Sequence, residues 1–123
     1  MEKTKILVVD DQKVVAELFQ LTLGPQGYTI RYASSASEAL EALEDQKFDV
    51  AFLDLVMPGI DGLMLLKKIK HAVPAMPVVM MSGFSMDVER KEAEELGAVT
   101  TLKKPFEMDE VVAILRKVLK KDI

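Results

Sequence analysis

The chain has 123 residues, 50% of them hydrophobic, enough to fill one core with little left for a second domain. Its formal charge is -4, and the 16 Lys and Arg are spread along the chain among 20 Asp and Glu, so neither a nucleic-acid footprint nor a membrane-surface footprint is expected. With no cysteine, disulfides and thiol chemistry are excluded; with no long apolar span, and an opening "MEKTK" too polar and short to be an address, a cytoplasmic protein is expected.

Taken in chain order, "KILVV" is a short β-branched run that stops at Asp10 and Asp11, the pattern of a strand buried on both faces. From Gln12 to Leu23 the period changes. Val14, Val15, Leu18, Phe19 and Thr22 follow three- and four-residue spacing and predict a helix, which "GPQG" ends. "YTIRYA" then reads as a strand and "SSASEALEALEDQ" as a helix, with Ser35 and Glu38 at capping-box spacing and Ala39, Leu40 and Leu43 facing inward. "FDVAFLDL" is a third strand. Asp61 is placed to cap a helix whose apolar face includes Leu65, Leu66 and Ile69, and "VPAMP" closes it before the strand Val78 to Met81. Ser85 or Asp87 starts a fourth helix, which reaches Leu96 and stops at Gly97. "AVTTLKK" is a last strand, followed after Pro105 and Phe106 by a helix carrying Val111, Val112, Leu115, Val118 and Leu119.

Five strands alternating with five helices imply an α/β fold: a (βα)5 doubly wound open parallel sheet with helices on both faces. No repeat, low-complexity tract or linker interrupts it, so one domain is expected over residues 1–123.

The apolar runs finish alike. One gives Asp10 and Asp11, another Asp54, another Ser82, and the last Lys103 and Lys104. In an open parallel sheet all these ends share one edge, where ligands bind. Two carboxylates about 4 Å apart repel by roughly 4 kcal/mol at an effective dielectric near 20, so a cluster of three needs positive charge. Carboxylates with a carbonyl and water, and neither His nor Cys, suit Mg²⁺ better than Zn²⁺, and one lysine supplies a second cation. Partly neutralised in this way, a carboxylate can attack phosphorus while a hydroxyl, a lysine and the metal stabilise the phosphoryl oxygens. Asp54, alone at the end of the most apolar strand, is the nucleophile candidate; the adjacent Asp10 and Asp11 suit metal holding.

"VVDD", "LDLVMPGIDG", "MMSG" and "LKKPF" together resemble the signature segments of response-regulator receiver domains of two-component systems, in order and over nearly the whole chain. The resemblance implies the strand order 2-1-3-4-5, for which the chemotaxis receiver is a standing example. It also implies that Asp54 takes a phosphoryl group from a phosphohistidine on a sensor histidine kinase or a histidine phosphotransfer protein. Mg²⁺ would be held by Asp11, Asp54 and the Val56 carbonyl, with Asp10 acting through water. Ser82 would hydrogen-bond a phosphoryl oxygen, Lys104 would pair with it, and the Lys104–Pro105 bond would be cis. A regulatory domain is implied, with at most slow self-catalysed phosphorylation and dephosphorylation. Its output, a fused domain or a separate protein, would be reached through the fourth helix, fifth strand and fifth helix, with a phosphorylation-dependent homodimer as one form. Three residues before Lys104, where many receivers carry Tyr or Phe, stands Thr101, so switching through "GFS" and Phe84 is expected instead.

Plainer readings exist for each residue alone: Asp11 as a cap of the first helix, Ser82-Gly83 as a turn, adjacent lysines as surface charge. His71, the single histidine, is expected at the surface, and most of the eight methionines in the core. "KVLKKDI" places positive charge at a helix end, as the macrodipole favours. Two other functions compete. An aspartyl-phosphate phosphatase would want a second Asp two residues after the nucleophile, where this chain has Val56. A flavodoxin-like binding module would want Ser, Thr or Gly amides where this chain has "DDQK".

Overall fold

The computed structural model describes residues 3–57, 59–83 and 87–119. Expectations attached to Met1, Glu2, Pro58, Phe84, Ser85, Met86 and residues 120–123 lie outside that range. The chain alternates β1 (Lys5–Val9), α1 (Lys13–Leu23), β2 (Thr29–Ala33), α2 (Ala36–Asp45), β3 (Val50–Asp54), α3 (Gly62–Ala72), β4 (Val78–Ser82), α4 (Asp87–Glu95), β5 (Thr100–Lys103) and α5 (Met108–Leu119). The sheet order is β2-β1-β3-β4-β5, and every pairing is parallel. A short antiparallel ladder, Val56–Met57 against Ile60–Asp61, stands apart from it.

The continuous apolar runs of β1, β3 and β4 are explained by the two layers they separate. Leu7, Val9, Ala51, Leu53, Val78 and Met80 point to the core under α2, α3 and α4. Their alternates Ile6, Val8, Val50, Phe52, Val79 and Met81 point to the core under α1 and α5. Each of the Val, Leu, Ile, Phe and Met side chains among them, fully buried, contributes about 1.5–3 kcal/mol against leaving it in water. Phe19 packs edge-on against Phe52, ring centroids 4.9 Å apart, and fixes α1 over the middle of the sheet. The edge strands β2 and β5 are only partly covered, and their sequences are correspondingly mixed.

The helix faces refine the sequence-based expectation. In α1 the buried stripe is Val15, Ala16, Phe19 and Leu23, whereas Val14 and Leu18 are exposed. The helix carries two adjacent apolar stripes, and the one containing Phe19 and small Ala16 seats closest to the sheet. In α2, Ala39 and Ala42 are buried and Leu40 and Leu43 flank them half-buried. Ser35 caps this helix by accepting from the Glu38 N–H at 3.2 Å, but the Glu38 carboxylate accepts from the N–H and hydroxyl of Ser34, so the return arm is shifted by one residue. Asp61 caps α3 by accepting from the Leu63 N–H at 2.9 Å, and Leu65, Leu66 and Ile69 are buried. Gly97, with φ of 106°, ends the α4 segment as a glycine can. His71 is exposed; among the described methionines Met57, Met76, Met80 and Met81 are buried, Met108 is half-buried and Met64 is exposed.

Candidate functional site

The carboxyl ends of β1, β3 and β4 and the residue after β5 converge on one edge. Asp10 follows β1 and is fully buried; its N–H donates to the Ala33 carbonyl, which ties it to the end of β2. One of its carboxylate oxygens accepts from the Gln12 N–H at 2.8 Å, and the other accepts from Lys104 Nζ at 2.6 Å. Asp54, only 6% exposed, accepts from the Val56 N–H at 3.2 Å and from Lys104 Nζ at 3.2 Å. Asp11 is exposed, yet one of its oxygens lies within 4.8 Å of oxygens of both Asp10 and Asp54.

The plainer reading of Asp11 as a helix cap does not hold. Gln12 occupies the N-cap of α1 and offers no side-chain bond to it, while Asp10 takes up the Gln12 N–H. Asp10 and Asp11 are therefore unlike neighbours: the first is tied down by donors, and the second stands free at the mouth.

Lys104 is the cation of this cluster. Its backbone N–H donates to the Ser82 carbonyl at 2.6 Å, which fastens the end of β4 to the segment after β5, and the following Lys104–Pro105 peptide is cis. Burial disfavours its ammonium, but the hydrogen bond to Asp10 and the charges of Asp54 and Asp10 outweigh that and hold its pKa above the ordinary value. Three carboxylates against one ammonium still leave excess negative charge. The pKa of Asp54 is raised from the ordinary 3.8 by burial above all, with the Asp10 charge adding to it, despite Lys104 and the Val56 N–H.

Ser82 is 1% exposed, and its hydroxyl has no hydrogen-bond partner. A buried orphan hydroxyl costs free energy unless something arrives for it to bond. Val56 points its side chain into solvent, and Thr101, paired with Met80 in the sheet, likewise keeps a buried hydroxyl without a partner. Lys103 is exposed at the end of β5. One contact was invisible in the sequence: Gly62 opens α3 so close to Leu55 that its N–H reaches the Leu55 carbonyl at 3.2 Å, fixing the turn after Asp54. Only the glycine in "IDG" hinted at it.

The donor set is all oxygen, with no nitrogen or sulfur ligand in the cluster, and it fits a hard divalent cation such as Mg²⁺. The raised pKa also has a stability consequence. Because the folded state holds the Asp54 proton more tightly than the unfolded chain does, ionised Asp54 destabilises the fold above its raised pKa, and that effect fades as pH falls toward 3.8. Asp54→Asn is therefore expected to be more stable than the parent near neutral pH without divalent cations. The gap should narrow on acidification. Urea midpoints at about pH 7 and about pH 4 check it, and a gap independent of pH would contradict the assignment.

A sequence model of the response regulator receiver domain matches residues 6–116. The chain belongs to the response regulator receiver domain family. Among solved structures, the receiver domain of NtrX from Brucella abortus is 35% identical, with a TM-score of 0.88, over 95% of this chain and 99% of that one. Among curated relatives, the DNA-binding transcriptional regulator NtrC of Escherichia coli strain K12 is 36% identical over 97% of this chain and 25% of its own length. The regulatory protein VanR of Enterococcus faecium is 34% identical over 95% of this chain and 50% of its length. The receiver thus spans a quarter to a half of such relatives. It is a regulatory domain of two-component signalling with the flavodoxin-like strand order, and among the described residues no helix is long and apolar enough to cross a membrane.

Proposed function

We propose that Asp54 is the phosphoacceptor of this receiver, and that residues 1–123 act as one domain. A carboxylate oxygen of Asp54 attacks the phosphorus of a partner's phosphohistidine; the P–N bond breaks, the electron pair leaves on the imidazole nitrogen, and an aspartyl phosphate forms. The observation that carries this reading is the placement of Asp54 at the end of β3, within 3.2 Å of the Lys104 ammonium and beside the Asp10 and Asp11 carboxylates. Lys104 is positioned to pair with a phosphoryl oxygen, and the partnerless Ser82 hydroxyl to donate to another. Asp11, Asp54 and the Val56 carbonyl, with Asp10 through water, would hold Mg²⁺, which when bound supplies the positive charge that lets a buried carboxylate meet a phosphoryl group.

The donor would be a sensor histidine kinase or a histidine phosphotransfer protein, in the cytoplasm. The output would be a fused domain or separate partner reached through α4, β5 and α5, and relatives named as transcriptional regulators support control of transcription as its end. Switching would pass through Ser82 into the segment after it, with Thr101 too small to serve as an aromatic reporter.

Intact mass after incubation with Mg²⁺ and a small acyl phosphate tests the assignment. A single phosphoryl adduct is expected, absent without Mg²⁺ and absent in Asp54→Asn. An adduct that persists in the variant would place the acceptor elsewhere.

A further inference from the structure

The helices α3 and α4 lie side by side on one face of the sheet and carry opposite charge outward. α3 contains no acidic residue, and Met64, Lys67, Lys68 and His71 are exposed along it at three- and four-residue spacing, lining a surface groove of about 380 Å³. On α4 the side opposite buried Ala93 carries Val88, Lys91 and Glu95, flanked by Glu92 on one side and by Asp87 and Glu94 on the other, so acidic residues outnumber the one exposed cation. Among the described residues no ion pair joins the two helices, so each stripe faces solvent with its charge uncompensated by the other.

Both helices leave the carboxyl ends of parallel strands, so they start at the same edge of the sheet and run the same way. A two-fold axis lying in the contact plane and parallel to them therefore sets α3 of one copy on α4 of the other at the same height. Met64, 53% exposed, then meets Val88, 68% exposed. Lys67 and Lys68 then face the turn that carries Glu92 and Glu94 on either side of Lys91, and His71 faces Glu95. The perpendicular two-fold in that plane stacks α3 on α3 and α4 on α4, like charge on like, and is disfavoured. We infer that the α3–α4 face is a self-complementary docking surface for a second copy of this chain.

The contact is small and largely polar, which makes it a transient, concentration-dependent dimer, not an obligate one. It does not depend on the assignment of Asp54 and needs no phosphoryl group. At about 0.1 M salt the screening length of about 10 Å damps repulsion between copies of net charge -4 while leaving contact pairs effective. At about 1 M salt, with a screening length near 3 Å, the pairs are weakened too.

Sedimentation velocity of the unphosphorylated chain over a concentration series tests this. A monomer–dimer equilibrium is expected at about 0.1 M salt, with Kd rising on the order of tenfold at about 1 M. The double variants Lys67→Glu with Lys68→Glu, and Glu92→Lys with Glu95→Lys, should each be monomeric alone, because each makes both stripes of one sign. Mixed in equal amounts they should dimerise again. Monomer under all conditions, growth past the dimer, indifference of the dimer to either variant, or a mixture that stays monomeric would each overturn the inference.

Discussion

Replacing Lys104 with methionine is expected to destabilise the fold by about 3 kcal/mol at neutral pH, lowering the melting temperature on the order of 10 °C. Methionine keeps most of the side-chain volume and removes the charge. Asp10, fully buried, would be left with the Gln12 N–H as its side-chain hydrogen bond, and Asp54 with that of Val56. The pKa of Asp54, raised even with Lys104 present, would rise further, because Lys104 is the largest influence holding it down. The sign follows: the deficit is full where Asp54 is ionised and shrinks as pH falls through its raised pKa. Mg²⁺ should recover part of the loss by binding the folded state alone. Lys117→Met, on the exposed face of α5, is the control and should stay within about 0.5 kcal/mol. Thermal melts of both variants with and without Mg²⁺ decide the matter; equal losses in the two would mean that Lys104 contributes only as a surface charge.

The second large effect is expected at Gly62. Alanine is normally favoured over glycine inside a helix by about 1 kcal/mol. Here an added Cβ would lie within 2.7 Å of the Leu55 Cα and carbonyl carbon, and closer still to its oxygen. Backbone cannot step aside as a flexible side chain can, so the overpacking cost of about 1–3 kcal/mol should exceed the propensity gain. Gly62→Ala should therefore lose stability, and it should slow acyl-phosphate labelling of Asp54, since the turn that Gly62 holds begins one residue after it. Gly83→Ala, where among the described residues no atom beyond its chain neighbours lies within 4 Å of the added carbon, should be tolerated. A Gly62→Ala protein as stable and as quickly labelled as the Gly83→Ala protein would show that the turn adapts freely.

These two sites mark how much of the molecule could be read in advance. The strands were legible because β1, β3 and β4 are buried on both sides, which leaves unbroken apolar runs that periodicity cannot mistake for surface helices. The candidate site was legible for a related reason: a charged residue at the end of such a run has one place to go. What sequence left ambiguous was decided by packing depth. α1 offers Val14 and Leu18 as convincingly as Val15 and Phe19, and only the fit of Ala16 against the sheet separates the two stripes. Likewise "DD" does not say which carboxylate turns inward; the Ala33 carbonyl and the Gln12 N–H, both backbone groups, make it Asp10. The approach of Gly62 to Leu55 is a backbone arrangement that no side-chain pattern encodes, and the choice of Ser34 over Ser35 for the return arm of Glu38 depends on the local backbone path.

The ammonium that compensates Asp10 comes from 94 residues downstream, and it reaches Asp54 across 50. During synthesis, the amino-terminal strands emerge carrying their carboxylates long before the lysine exists. A nascent or truncated chain ending short of residue 104 would have to bury Asp10 without its counter-ion, which opposes stable closure of the sheet around it. The ion pair thus ties closure of the first strand's edge to a residue that follows the last strand, so the sheet and its buried carboxylate are completed together.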